Sequence, residues 1–195
     1  MKPETRFDAD SHSYFITTNG AERPVPGVTS VLRDLIPGWS ASDWYLERGR
    51  AVHACAAFVA RGKQFEYSPQ IEGQVAALRR FYSEVKPVVL HVEQQVYSVK
   101  RQYAGTFDGI FNIQKKDAII DWKANLDGRV MWQLAAYASA WEEMGNKKID
   151  IGYAIQISDN GKYRMSERYD LRRPKQEWNA FLTVFNIRKK LEITP

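Results

Sequence analysis

A single cysteine, Cys55, occurs in 195 residues. That excludes an internal disulfide and any cysteine-based zinc cluster. No apolar run approaches about 18 residues, so no segment reads as a membrane span. The opening MKPETRFDAD lacks the apolar stretch of a secretory signal, and a cytoplasmic location is expected. No G-x-x-x-x-G-K-[ST] run occurs, which excludes a P-loop and ATP-driven translocation within this chain. No G-x-G-x-x-G run occurs either, and no nucleotide cofactor is expected. Nothing resembles a nucleophile elbow. There is no internal repeat, and His91 has no Cys or His at metal-ligand spacing.

The residues present are those of an ordinary soluble protein, 44% apolar and 26% charged. The length predicts one domain over residues 1–195 with a substantial core, in which Cys55 is a small core residue. The formal net charge is +5. From Lys162 onward there are nine Lys/Arg against four Asp/Glu, which accounts for the whole excess. A basic region of this kind fits either a polyanionic partner or a solvated helix face.

Turn residues crowd TTNGAERPVPG, 17–27. A short helix follows in VTSVLRDL, stopped by Pro37-Gly38. SASDWYLERGRAVHACAAFVARG reads as a long helix, with Ser40 or Ser42 as N-cap and Gly62 as its stop. In SPQIEGQVAALRRFYSEVKP, Val75, Leu78, Phe81, Tyr82 and Val85 recur at helical spacing. From residue 87 the texture becomes β-rich. VVLHVEQQVYS, YAGTFDGIFNIQ and AIIDWKA read as strands, the last two joined by the polar turn KKD. RVMWQLAAYASAWEEMG is a helix ending at Gly145. KIDIGYAIQISD and KYRMSERYDL form two strands around Asn160-Gly161, and a final helix starts near Pro174. The helical part is thus 1–86 and the sheet 87–195. The pattern predicts an α/β fold, a mixed sheet of about five strands flanked by helices behind an N-terminal helical segment. The helix between the third and fourth strands makes that pair parallel.

Two of the strands carry charge inside apolar runs. Alternation puts Ile119, Asp121 and Lys123 on one face of AIIDWKA, with Ala118, Ile120 and Trp122 on the other. Both faces hold apolar residues, as in a strand covered on both sides. Asp108 shares a face with Thr106 and Ile110. An unpaired carboxylate in such a place costs roughly several kcal/mol unless a cation compensates it. An internal Asp–Lys ion pair, or exposure at a strand end, would account for one such residue. For the set, a hard divalent cation between two carboxylates accounts for more.

TFDGIF…AIIDWKA resembles the D…(D/E)-x-K signature of the PD-(D/E)XK nuclease superfamily. GRAVH, Gly49 to His53, is similar to the G-x-x-x-H motif of its RecB-type branch. QLAAY, Gln133 to Tyr137, is similar to the branch's Q-x-x-x-Y, and residues four apart share a helix face. The order His, Asp, Asp-x-Lys, Gln-x-x-x-Tyr on helix, strand, strand and helix is also the family's. HSYFITTNGAERPVPGVTSVLRDL looks like the lead-in of phage-type and mitochondrial genome maintenance-type exonucleases. The resemblance covers roughly residues 12 to 140. One departure is that Asp108 follows Gly-Thr-Phe and not proline.

The resemblance implies a restriction-endonuclease-like core. It implies Asp108, Asp121, His53 and the backbone carbonyl of Trp122 as metal ligands, with Lys123 as the third catalytic side chain beside the two aspartates. Glu93, one strand earlier, is where similar nucleases often carry an acidic residue that reaches a second metal; a solvent-facing Glu is the plain alternative. Mg²⁺ is the expected cofactor and Mn²⁺ the expected substitute. Gln133 and Tyr137 would support the substrate or Lys123, and Arg48 and Arg50 would hold phosphates. Trp39, Trp44 and Tyr45 suit either base stacking or the core. The expected activity is DNA exonuclease, in replication, recombination or repair. DNA is the expected partner, along with a recombination or single-strand-binding protein. A structure- or sequence-specific endonuclease and a non-cleaving DNA-binding recombination module are the alternatives.

Overall fold

The computed structural model of the protein describes residues 4–9, 11, 13–36 and 43–191. It opens with a small antiparallel sheet, β1 (Glu4–Asp8), β2 (Ser13–Thr18) and β3 (Ala21–Val25), paired in that order. Sequence reading found the turn here and missed the strands. Asn19 (φ 52°) and Gly20 (φ 78°) both lie in the left-handed region between the paired Thr18 and Ala21. That geometry is the two-residue hairpin turn that Asn-Gly favours. β3 escaped notice because it is a largely exposed edge strand containing Pro24.

Helices α1 (Val28–Leu35), α2 (Asp43–Ala60) and α3 (Glu72–Val85) follow, with a 3₁₀ turn at Pro69–Ile71 before α3. They form the expected helical segment; the N-cap candidates Ser40 and Ser42 lie outside the described residues. The main sheet contains β4 (Val88–Ser98), β5 (Tyr103–Ile113), β6 (Lys116–Lys123), β7 (Ile151–Ile157) and β8 (Tyr163–Met165) in that spatial order, with β9 (Tyr169–Asp170) also on β7. Helix α4 (Val130–Glu143) connects β6 to β7, which are parallel, as expected; the other pairings are antiparallel. α5 (Arg172–Lys190) ends the described chain.

The stretch 162–171 is two short strands, not one. Between them Ser166 donates its hydroxyl to Glu167 O and accepts from Ala154 N–H, while its own N–H goes to Ala154 O. One serine therefore occupies both ladder positions at Ala154 and breaks the strand.

Two apolar layers cover the sheet. β6 and β7 alternate between them, but in β5 Phe107 and Ile110 belong to the same layer. Alternation therefore breaks at Asp108, which meets His53 of α2 and does not share the layer of Ile110 as its spacing predicts. Ile110, Ile119 and Ala154 pack with Leu134, Ala138 and Trp141 of α4, and α5 adds Trp178 and Leu182 to that layer. Phe111, Ile120, Trp122 and Ile155 pack with Val75, Leu78 and Phe81 of α3 and with Val52 and Ala56 of α2. The alternation expected for AIIDWKA is therefore the one observed. Cys55 is buried in the second layer. Phe81 meets Trp122 edge-on at 5.2 Å between centroids. Truncating a fully buried Phe such as Phe81 to Ala costs about 3–5 kcal/mol.

Much of the basic C-terminal excess is paired within the molecule. Arg172 pairs with Asp170, Arg173 with Glu177, Lys175 with Glu142 and Asp150, and Arg188 with Asp34. His91 packs against Trp141 at 4.6 Å between ring centroids.

Candidate active site

Strand register lines up three acidic residues. β5 and β6 pair as Gly109↔Ile120, and the next step would set Asp108 opposite Asp121. β4 and β5 pair as Val92↔Gly109 and Gln94↔Phe107, which brackets Glu93 opposite Asp108. Glu93, Asp108 and Asp121 thus occupy one row across three adjacent strands. Directly opposed residues of neighbouring strands share a face.

The row sits where regular pairing fails. The β5–β6 ladder stops at Gly109/Ile120, and the N–H of Trp122 donates instead to Asp108 Oδ2 at 2.7 Å. The carboxylate has taken a place that a backbone carbonyl fills in an unbroken ladder. On β4 the register shifts between Val89 and His91, and Glu93 has φ 49°. A non-glycine residue held there costs about 1–3 kcal/mol, a strain typical of functional sites.

The opening lets one helical layer reach Asp108 and the other reach Asp121. From α2, His53 Nδ1 lies 2.7 Å from Asp108 Oδ1. From α4, Gln133 donates through Nε2 to Asp121 Oδ1 and to the Tyr137 hydroxyl, both at 3.1 Å. Its Oε1 accepts from Lys123 Nζ at 3.0 Å. Lys123 Nζ also lies 2.5 Å from Asp121 Oδ2, yet that oxygen is buried and makes no aligned hydrogen bond. Gly105 makes room for Tyr137: a Cβ there would lie 2.5 Å from Tyr137 Cε1.

The electrostatics follow from this crowding. Burial disfavours the His53 imidazolium, but the charge and hydrogen bond of Asp108, with Asp121 behind it, outweigh burial and raise its pKa to about 9. Glu93 is raised to about 7 by the surrounding protein and then by Asp108. Burial, and then Asp108, raise Asp121 against the pull of Lys123. Burial and Asp121 hold the Tyr137 phenol far above its ordinary range, so it stays protonated and able to donate.

Candidate ligand atoms of His53, Glu93 and Asp108 all lie within 4.8 Å of one another. One imidazole nitrogen and carboxylate oxygens suit Mg²⁺ or Mn²⁺. Asp121 Oδ2, beside the Lys123 ammonium but without an aligned hydrogen bond, is a further oxygen available to an ion. The donor set therefore fits a divalent ion. Asp121 stands outside that mutual group, its carboxylate engaged by Lys123 and Gln133.

No family model matches the chain, and no curated protein is similar to it. Among solved structures the chain is similar to an alkaline exonuclease (LHK-Exo) from Laribacter hongkongensis. The two share 12% identity over 85% of this chain and 90% of that one, with a TM-score of 0.45. A structure of LHK-Exo in complex with dAMP is similar to the same degree, covering 86% of this chain and 93% of that one, with 12% identity and a TM-score of 0.45.

A cleft of ≈ 310 Å³ adjoins the row, lined in part by His53, Trp122, Lys123, Asn125 and Gln156. Arg48 enters it from α2 and donates through Nε to the Gln74 side-chain oxygen at 3.2 Å, with the Gln74 amide oriented to satisfy both groups. Arg50 is exposed and does not line this cleft. Trp39 and the side chains of Trp44 and Tyr45 lie outside the described residues. Gln74 escaped sequence reading. Its signal was a buried amide on the apolar stripe of α3, one residue before Val75.

Proposed function

We propose that the protein is a metal-dependent DNA exonuclease. The observation that carries this reading is the row of Asp108 and Asp121 on neighbouring strands, met by His53 from one helical layer and by Lys123 beside it. His53, Asp108 and Asp121 would hold the ion, with the Trp122 carbonyl and Glu93 as further donors. Mg²⁺ is the ion that this oxygen-rich set favours. When bound, the ion supplies Lewis-acid polarisation of the phosphodiester and activation of water.

The chain's own groups do the rest. Lys123, steered by Gln133 and Asp121, would orient the attacking water and offset charge building on phosphorus. Gln133 and Tyr137 are both buried, and their hydrogen bonds go to Asp121, Lys123 and each other. Supporting Lys123 is the role this geometry favours for them, over touching substrate. Arg48 would hold a phosphate in the adjoining cleft, and Arg50 would meet the strand farther out on α2. Phage-type recombination or end repair is the setting this activity suits, with a recombination or single-strand-binding protein as a second partner. A cytoplasmic location fits; no helix among the described residues is long and apolar enough to cross a membrane.

End-labelled linear DNA tests the proposal. Cleavage with Mg²⁺, loss with EDTA and an intact covalently closed circle are expected. Cutting of the closed circle would make the protein an endonuclease. Binding without cleavage of either form, with Mg²⁺ or Mn²⁺, would make it an accessory module.

A further inference from the structure

A second cleft, of ≈ 420 Å³, lies along the neighbouring face of α2 and shares Arg48 with the first. Its aromatic lining follows from how α2 ends. Gly62 (φ 63°) reverses the chain, and Lys63 N–H returns to Phe58 O at 3.0 Å. This is the hydrogen-bond closure of a glycine-ended helix. The reversal folds Phe65 back onto Phe58, with ring centroids 5.4 Å apart and planes 20° from parallel. Tyr67 continues the cluster at 5.6 Å from Phe65. The guanidinium of Arg79, from α3, stands 5.9 Å from the Phe65 centroid and 5.7 Å from that of Tyr67. Phe58 is 39% exposed although it is a large apolar side chain on a helix that packs against the sheet.

We infer that Phe58, Phe65 and Tyr67 form a stacking platform for the unpaired bases of a single nucleic-acid strand whose phosphates run along Arg48 and Arg79. Two features favour this occupant over an apolar peptide. The aromatic rings are bordered by guanidinium groups, the combination that sequence-tolerant single-strand binding uses. The cleft also neighbours the one beside Lys123 and His53, the two sharing Arg48 as a lining residue, so one strand could contact both. Glu47 and Glu66 line the same cleft. Their charge opposes phosphates close to them, so the backbone is assigned to Arg48 and to Arg79 beside the rings. The assignment rests on the nuclease reading for its direction, though not for its chemistry.

The test is fluorescence anisotropy of the full chain with EDTA present, which separates binding from cleavage. The probes are a short single-stranded oligonucleotide, an abasic strand of equal length and charge, and a blunt duplex. Wild type should bind the intact strand about tenfold more tightly than the abasic one, the effect of about one stacked base. Phe58→Ala should lose most of that preference and Phe58→Trp should keep it, with duplex affinity unchanged in both. Tyr67→Ala should act in the same direction. Phe58→Ala gives up the ring contact with Phe65, so a small fall in melting temperature is expected for it and none for Phe58→Trp. Equal binding of intact and abasic strands by wild type would overturn the assignment. So would undiminished preference in Phe58→Ala, or no binding of any strand. Cleavage of end-labelled linear DNA with Mg²⁺ is measured alongside. Cleavage without a Phe58 effect sinks the platform alone, and a Phe58 effect without any cleavage sinks the nuclease reading alone.

Discussion

The side chain of Asp108 accepts the backbone N–H of Trp122 across a break in the β5–β6 ladder, at 2.7 Å. The other oxygen of Asp108 meets His53 at the same distance. One carboxylate thus ties a strand end to a helix of the opposite layer. Trp122, in turn, is held by edge-on packing of Phe81 against its indole. The core therefore sets where this carboxylate points.

Lys123→Ala should reduce cleavage by about 10²–10³-fold, the scale of losing one preorganised charge at a developing oxyanion. DNA affinity in EDTA should persist. The variant also leaves Asp121, 3% exposed, without its cation, so the metal-free protein should lose roughly 3 kcal/mol. Denaturant melts and single-turnover cleavage measure the two effects. Comparable turnover in the variant would remove Lys123 from the mechanism.

His53→Ala should raise the Mg²⁺ concentration needed for half-maximal cleavage by about tenfold or more. Mn²⁺, which accepts mixed ligand sets readily, should restore part of the rate. Calorimetric metal titration provides the check, and an unchanged metal affinity would show that His53 is no ligand.

The pH dependence of stability has a definite sign. In the metal-free fold the pKa of His53 is about 9 against an ordinary 6.5. The folded state therefore holds the proton more tightly than the unfolded one. The His53–Asp108 pair stabilises fully below pH 6.5 and loses that contribution as pH rises through about 9. In EDTA, wild type should melt above His53→Gln at about pH 6, and the gap should shrink by about pH 9.5. A gap independent of pH would mean that the imidazole carries no charge in the fold.

Gly105→Ala places a methyl against the ring of Tyr137, with 2.5 Å between Cβ and Cε1. Overpacking of this kind costs about 1–3 kcal/mol. Displacing Tyr137 also disturbs Gln133, and through it both Lys123 and Asp121. A lower melting temperature together with reduced cleavage is expected. A variant that loses stability but keeps full turnover would show that the α4 contacts are structural alone.

The elements that periodicity marks strongly were legible: α3, α4, β5 and β6 all stand close to where the spacing put them. β1 to β3 were not, because a short exposed strand such as Ala21–Val25, with a proline inside it, carries no apolar alternation. The split of β8 from β9 was hidden as well, since it depends on hydrogen bonds between Ser166 and Ala154, residues twelve positions apart. At the site, the aspartates and Lys123 stood out as charges within apolar runs. Gln74 and the Phe58–Phe65 stack did not, because an amide on a helix stripe and a phenylalanine in a loop look ordinary until their neighbours are known.

The sequence by itself determined the strand face of Asp121 and Lys123, because β6 alternates without interruption; at Asp108 the alternation of β5 breaks, and the sequence did not show it. It also determined that residues four apart on α4 would face the same way. Only the tertiary structure decided that the β5–β6 ladder ends one residue short of Asp108 and that α2 brings His53 into the gap. It also decided that Glu93 completes the row, set opposite Asp108 by the pairing of β4 with β5. Register and layer packing arise from contacts between distant segments, and local propensity does not encode where those segments meet.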